Sequence, residues 1–278
     1  SHGERVEVDK EKAIYWYRKA AEQGYAEAQL FLAFYYDLEG KDESDKEKAA
    51  YWFCKAAEQG DMDAQYYLGD AYANGDGVEV DKVRAVYWYR KAAEQGVAVA
   101  QNNLGYAYFY GEGIEVNKEQ AVYWYQKAAE QGDASAQNIL GYAYQHGEGV
   151  EVNKEQAVYW YRKAAEQGVA VAQNNLGYAY FYGEGIEVNK EQAVYWYRKA
   201  AKQGLASAQN NLGYAYKYGV GIEVDKEQAV YWYREAAKRG HSAAQNNLAN
   251  MLCDGIGCEQ DYEEALYWFT EAWKQRNN

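Results

Sequence analysis

The sequence predicts an all-α solenoid built from 36-residue helix-turn-helix repeats, and three regularities carry that expectation. Tryptophan recurs at Trp16, Trp52, Trp88, Trp124, Trp160, Trp196, Trp232 and Trp268, each 36 residues after the one before. Glycine follows the first seven of these eight residues later, from Gly24 to Gly240. Between these marks each unit holds two stretches with apolar residues at helical spacing, joined by a short loop. Residues 97–132 and 169–204 differ only at Gln126 against Arg198 and Glu130 against Lys202, an identity that recent duplication and consensus design both produce.

Taken in order, Ser1-His2-Gly3 reads as a cloning scar and residues 4–278 as one solenoid. The solenoid opens on a lone second helix at 9–24, so the natural protein is expected to continue upstream. About seven full units follow, at roughly 25–60, 61–96, 97–132, 133–168, 169–204, 205–240 and 241–276. In each unit the first helix reads like Ala98 to Tyr110. There Ala100, Leu104 and Tyr108 share a face with a notch at Gly105. A glycine inside a helix costs roughly 1 kcal/mol against alanine. Its recurrence at Gly69, Gly105, Gly141, Gly177 and Gly213 therefore predicts close helix approach, with a neighbouring aromatic filling the space. The loop Gly111-Glu112-Gly113-Ile114-Glu115-Val116 leads to the second helix. Asn117 is its expected N-cap, Gln120 completes a capping box, and Gly132 ends it in the left-handed conformation. Ala121, Trp124, Tyr125, Ala128 and Ala129 fall on one face, and burying one Trp contributes up to about 4–6 kcal/mol. At the last unit Trp273 replaces an alanine and is expected to cover the exposed end.

Composition narrows the function classes. The chain carries 29 basic and 42 acidic residues, a formal net charge of −13. Nucleic acid and anionic membranes both need basic residues gathered on one face, so neither is an expected partner. No run of about 18 apolar residues exists to span a bilayer. A soluble chain is expected, and nothing in the sequence assigns it a compartment. Three cysteines, Cys54, Cys253 and Cys258, form no disulfide framework. With 32 Tyr, 9 Trp and no Pro, the chain is aromatic enough to be folded from nearly end to end.

The repeat can be written Ala98-x-Ala100-Gln101-x-x-Leu104-Gly105-x-x-Tyr108-x-x-Gly111-x-Gly113. The second part is Lys118-x-x-Ala121-x-x-Trp124-Tyr125-x-Lys127-Ala128-Ala129-Glu130-Gln131-Gly132. This pattern resembles the Sel-1-like repeat, a relative of the tetratricopeptide repeat, and the resemblance covers residues 9–278. It implies a right-handed superhelix with the first helix of each unit on the concave side. It also implies an adaptor or scaffold, of the kind found in protein quality control and in bacterial signalling or host contact. Three departures stand out. The usual loop proline is missing, with Glu115-Val116-Asn117 in its place, and the loop 39–45 lacks the Gly-x-Gly form. Ala20 and Ala28 occupy the places where the cysteine-rich branch of the family carries its disulfides, so that branch's activities are not expected.

With the packing face subtracted, two polar-aromatic stripes remain. The first comprises Asn102, Tyr106, Phe109 and Tyr110; Asn138, Tyr142 and His146, with Gln145; Asn174, Tyr178, Phe181 and Tyr182; and Asn210, Tyr214 and Tyr218, with Lys217. By the family resemblance these line the concave groove. Asn offers donors and acceptors to an extended peptide backbone, and Tyr offers large, stiff contacts. Packing between adjacent repeats is the other reading of the same tyrosines. The second stripe, Tyr15, Tyr51, Tyr87, Tyr123, Tyr159, Tyr195, Tyr231 and Tyr267, lies roughly 160° from the Ala/Trp face of the second helix. It reads either as a solvated stripe covered by flanking charges such as Lys19 or as a lateral contact for self-association or a partner.

Catalysis finds no foothold. His241, Cys253 and Cys258 match no usual zinc spacing, and the Gly-x-Gly loops lack the lysine of a phosphate loop. Paired carboxylates lie on exposed helix faces, where nothing raises a pKa for acid–base work. The expectation is a non-catalytic scaffold that needs no cofactor and binds a protein or peptide. A glycan or cell-wall ligand on the aromatic stripe, and an array with no ligand at all, are the alternatives.

Overall fold

A computed structural model describes residues 10–40 and 42–276, so residues 1–3, read from sequence as a cloning scar, lie outside the described residues. Fifteen α-helices and no strands occur among the described residues. The first, α1 (Lys10–Glu22), stands before seven hairpins. These are α2 (Ala26–Glu39) with α3 (Glu43–Glu58), α4 (Met62–Asn74) with α5 (Lys82–Glu94), and α6 (Ala98–Tyr110) with α7 (Lys118–Glu130). Then come α8 (Ala134–His146) with α9 (Lys154–Glu166), and α10 (Ala170–Tyr182) with α11 (Lys190–Lys202). The last are α12 (Ala206–Tyr218) with α13 (Lys226–Lys238), and α14 (Ser242–Asp254) with α15 (Tyr262–Arg276). Contacts divide the chain into two compact units, Ser1–Asp133 and Ala134–Asn278, and within each unit helices pack on their neighbours in chain order. The fold class is the expected one, an all-α array of helix-turn-helix repeats.

The core of each repeat is small and uniform. Ala100, Leu104, Ala121, Tyr125, Ala128 and Ala129 are all buried, as are their equivalents in neighbouring units. Alanines let the paired helices approach, and the glycine notch takes the one large ring. A Cβ placed on Gly105 would come within 2.9 Å of Cδ1 of Tyr125, which is why that position holds glycine despite its cost in a helix. The aromatic expected to fill the notch is therefore the tyrosine rather than the tryptophan beside it. Trp124 is only half-buried and packs on the cluster where Tyr89 of the unit before it meets Leu104 of its own. Tyr123 covers its outer side edge-on, with ring centroids 5.0 Å apart.

A buried polar ladder fastens consecutive repeats. Gln29, Gln65, Gln101, Gln173, Gln209 and Gln245 each donate through Nε2 to the alanine carbonyl eight residues earlier, such as Ala93 for Gln101 at 3.0 Å. In Gln29, Gln65, Gln101 and Gln173 the side-chain oxygen also accepts from a glutamine thirty residues later, as in Gln95 to Gln65 at 2.9 Å and Gln203 to Gln173 at 2.9 Å. Burying an amide without such partners costs about 1–3 kcal/mol, so the ladder holds the register of one repeat on the next.

The helix ends follow the sequence with one correction. Asn117 caps α7 by accepting from the Gln120 amide at 2.9 Å, and Gly132 ends it at a φ of 99°. The reciprocal half of the capping box is absent, because the Asn117 amide donates to the Tyr108 carbonyl at 2.9 Å and ties the loop to α6. In that loop a Cβ on Gly113 would stand 2.1 Å from the Lys82 carbonyl, so the second glycine of Gly-x-Gly allows the loop to lie against the preceding unit. Where the Gly-x-Gly form is missing, between α2 and α3, the chain starts its second helix early. Asp42 caps α3 by accepting from Asp45, and that helix is 16 residues long against 13 for α5.

Candidate functional site

The outward faces of the first helices carry exposed rings, one at Tyr106 in the first unit and a row of three in the second. Tyr106, Tyr142, Tyr178 and Tyr214 are between 39% and 44% exposed, so they are not core side chains packed between repeats. Each leans on the aromatic one turn later: Tyr106 on Tyr110 at 4.5 Å between centroids, Tyr142 on His146 at 4.3 Å, Tyr178 on Tyr182 at 4.4 Å and Tyr214 on Tyr218 at 4.6 Å. Phe109 and Phe181 sit half-buried behind these pairs. Phe181 reaches Tyr214 of the next repeat edge-on at 6.2 Å, which joins two columns into a continuous aromatic strip. Lys190 stands over its ring at 3.6 Å and donates to the Phe181 carbonyl.

Beneath this strip lies a second row that the sequence reading passed over. Tyr125 and Tyr233 cross the glycine notch of the first helix, and their phenols sit near Tyr106 and Tyr110, and near Tyr214 and Tyr218. Burial, with those neighbouring tyrosines, holds both phenols above their ordinary pKa, so they remain O–H donors. The Tyr161 hydroxyl donates to Gln145 at 2.7 Å, whereas the Tyr125 hydroxyl is buried with no partner. The signal was present in the sequence. Glycine stands at the notch wherever the second helix carries this tyrosine, and alanine stands there (Ala33, Ala249) wherever it carries phenylalanine (Phe53, Phe269).

The asparagines divide into two kinds. The Asn174 and Asn210 side-chain oxygens accept from Asn211 at 3.1 Å and Asn247 at 3.0 Å, so their carbonyls are committed to the next repeat. The Asn102 and Asn138 oxygens are buried and have no partner. An unpaired buried carbonyl costs about 1–3 kcal/mol, a cost that the paired Asn174 and Asn210 avoid.

The repeat at 61–96 breaks the column. Asp70, Ala73 and Asn74 stand where the next unit has Tyr106, Phe109 and Tyr110, and Ala73 leaves a pocket of about 300 Å³ beside the Asp70 carboxylate. Asp70 accepts from the Tyr89 hydroxyl at 3.2 Å and from Asn74 at 3.3 Å. Sequence reasoning missed this site because it followed the tyrosine column from residue 97 onward. Reading the same register positions one unit earlier would have found it.

On the second helices, Tyr51, Tyr87, Tyr123, Tyr159, Tyr195 and Tyr231 are about half exposed, as are Tyr15 and Tyr267. Lysines one turn later stand over six of the eight rings, from Lys19 over Tyr15 at 5.9 Å to Lys199 over Tyr195 at 4.8 Å. Tyr231 and Tyr267 have Glu235 and Glu271 in that place. Each ring is thus edged by Trp on one side and, in six units, faced by a cation at a gain of about 0.5–1 kcal/mol. Among the described residues no three metal-ligating side chains converge, and no helix is long and apolar enough to cross a membrane.

Stacked hairpins with a shared buried face and a variable outer face define a helical-repeat protein, whose working surface is extended rather than enclosed. The family model of the Sel1 repeat matches residues 1–25, 26–61, 63–97, 98–133, 134–169, 170–205, 206–241 and 242–277, and the chain belongs to that family. The first match takes in residues 1–3, where His2 and Gly3 stand in the same repeat register as His146 and Gly147. Among solved structures, the protective antigen c5321 of uropathogenic Escherichia coli, described as displaying an SLR fold, is 40% identical over 95% of this chain with a TM-score of 0.86. The chain spans 56% of that protein, about half its length. A Sel1 repeat protein from Oxalobacter formigenes is 34% identical, covers 98% of this chain and 79% of its own, and has a TM-score of 0.77. No curated protein matches the chain by sequence. Sel1-repeat proteins are generally non-catalytic scaffolds that mediate protein–protein interactions.

Proposed function

We propose that this protein is a non-catalytic scaffold that binds an extended peptide, or an extended segment of a protein, along the outward face of its first helices. One observation carries the reading. In the second unit three exposed aromatic pairs recur at the repeat spacing, Tyr142 with His146, Tyr178 with Tyr182 and Tyr214 with Tyr218, and the first unit carries the same pair at Tyr106 and Tyr110. An extended peptide offers side chains at regular intervals, and flat tyrosine rings contact them at low entropic cost. The net charge of −13 favours basic or neutral partners through long-range attraction, more strongly at low salt.

The test begins with 12-residue peptides selected on the intact protein from a random displayed library. Tyr178→Ala combined with Tyr214→Ala should weaken their binding at least about tenfold, since buried tyrosine contacts at interfaces are worth about 1–2 kcal/mol or more each. Both rings are exposed, so thermal unfolding should move by no more than a few degrees. Peptide binding that survives the double change sinks the proposal. So does a titration in which glycan oligomers bind with affinity rising with chain length while selected peptides do not.

A further inference from the structure

We infer that the pocket in the repeat at 61–96 is a receptor for one cationic side chain, arginine or lysine, of the bound peptide. This rests on the peptide-binding reading above and names the residue type that the partner must place here. The argument starts from what the repeat has lost. Tyr106 and Phe109, and again Tyr178 and Phe181, fill this place with two aromatic rings. Here Asp70 and Ala73 replace them and open about 300 Å³ at the floor of the same face. That volume is at the lower end for small-molecule sites, which run to about 1,000 Å³, and it suits a single side chain better than a cofactor.

The lining fits a cation on an aliphatic stem. Ala73, Ala85, Val86 and Ala107 supply apolar wall, the exposed Tyr106 ring stands at one side, and the Asp70 carboxylate lies at the end. Asp70 already accepts from two neutral donors, the Tyr89 hydroxyl and the Asn74 amide, which hold its oxygens in place without neutralising them. A carboxylate accepts about four hydrogen bonds, so it has capacity left for a guanidinium or ammonium.

The surrounding charges support the sign. Lys82, which lines the pocket, is paired with Glu112 at 3.0 Å, and Lys46, in the adjoining cavity that shares Asp70 and also holds Asp37, is paired with Asp76 at 2.9 Å. Asp37 and Asp70 form no ion pair among the described residues, which leaves two negative charges in excess here. The excess is felt by its neighbours: burial first, then Asp76 and Asp70, raises the Asp37 carboxyl above its ordinary range. Burial first, then Asp70, likewise raises the Tyr66 phenol. An incoming cation relieves both, and Tyr106 offers it a ring face.

The experiment uses the intact ¹⁵N-labelled protein and two tripeptides, Ac-Ala-Arg-Ala-NH2 and the neutral Ac-Ala-Gln-Ala-NH2. The arginyl peptide should shift the backbone amides of Asp70, Asn74, Asn103 and Tyr106, and the glutaminyl peptide at equal concentration should leave them nearly unmoved. Asp70→Asn keeps the shape, its oxygen accepting from Asn74 and its amide nitrogen donating to the Tyr89 oxygen, and should weaken the arginyl peptide at least about tenfold, as expected for loss of a charge-assisted pair. Asp70→Tyr with Ala73→Phe gives this repeat the residues that the next repeat carries at Tyr106 and Phe109, and should abolish the shifts. Equal responses to the two tripeptides, shifts elsewhere, or unchanged affinity in Asp70→Asn overturn the pocket. Selected 12-residue peptides that depend on Tyr178 and Tyr214, with no arginyl shifts at Asp70, overturn the pocket and leave the scaffold reading standing. Arginyl shifts at Asp70, with no peptide depending on the tyrosines, support the pocket and overturn the groove.

Discussion

The repeats at 169–204 and 241–276 share a backbone plan and a buried face, yet differ in almost everything that points outward. Leu176 and Leu248 are fully buried at the same register position, and Gln173 and Gln245 bond the same way to Ala165 and Ala237. Outside, Tyr178, Phe181 and Tyr182 give way to Asn250, Cys253 and Asp254. The change reaches inward at one place: Gly177 faces Tyr197 in the first repeat, whereas Ala249 stands opposite Phe269 in the other. The phenol that crosses the notch and the rings that cover it are thus present together or absent together between these two units. The repeat at 61–96 keeps the notch, Gly69 opposite Tyr89, beneath Asp70 and Ala73, so the glycine goes with the buried tyrosine rather than with the rings above it.

The sharpest way to break that comparison is to give one repeat the other's notch. A Cβ on Gly177 would lie 2.8 Å from the Tyr197 ring, which is itself buried, and the added methyl forces one of them to move. Overpacking of this kind costs about 1–3 kcal/mol, and the better helix propensity of alanine returns about 1. Gly177→Ala should then destabilise by up to about 2 kcal/mol in urea unfolding. Adding Tyr197→Phe should recover most of the loss, because a ring with no hydroxyl held at the outer face can retract, as Phe53 does opposite Ala33 with both fully packed. An undiminished loss in the double variant would show that the glycine serves helix approach alone.

How much of this was readable beforehand follows from the physics of each position. Trp, Ala and Gly recur because close helix packing admits few alternatives, so their period exposed the fold and the unit boundaries directly. The exposed status of Tyr106 and its equivalents also followed from helical spacing, since they lie opposite Leu104. The Gln101 ladder did not. Glutamine is usually a surface residue, and its burial here depends on an acceptor eight residues earlier and a donor thirty residues later, which no single-helix pattern displays. The Asp70 pocket escaped for the opposite reason: it is an exception to the period, visible only where two small residues replace two rings.

The ladder offers the next test of the comparison. Gln173 accepts from Gln203, but Arg239 occupies the corresponding place for Gln209, whose oxygen is left buried without a partner. Arg239→Gln should supply the missing donor and stabilise the protein by about 1 kcal/mol, the net value of a typical intramolecular hydrogen bond. Hydrogen exchange at the first turns of α12 and α14 should slow together. A neutral or destabilising outcome would mean that the arginine's own contacts near Gly204 outweigh the orphaned amide.

The smallest expected effect concerns how the two repeats begin. Val169 gives α10 no side-chain cap, whereas His241 caps α14 by accepting the Ala244 amide on Nδ1 at 3.2 Å. Burial holds the His241 imidazole below its ordinary pKa of 6.5, and only the neutral ring can accept. The unfolded chain therefore binds the proton more readily than the folded one. The cap contributes fully above pH 6.5 and is lost as the pH falls from there toward the lower folded value. An N-cap is worth about 1 kcal/mol, so α14 amides should exchange up to about fivefold faster at pH 5 than at pH 7.5, once intrinsic rates are removed. In His241→Asp the difference should vanish, because aspartate caps α4 through the same contact, Asp61 to Ala64 at 2.8 Å, and stays ionised across that interval. A pH response that persists in the aspartate variant would place the titrating group elsewhere and leave the two repeats alike at their starts.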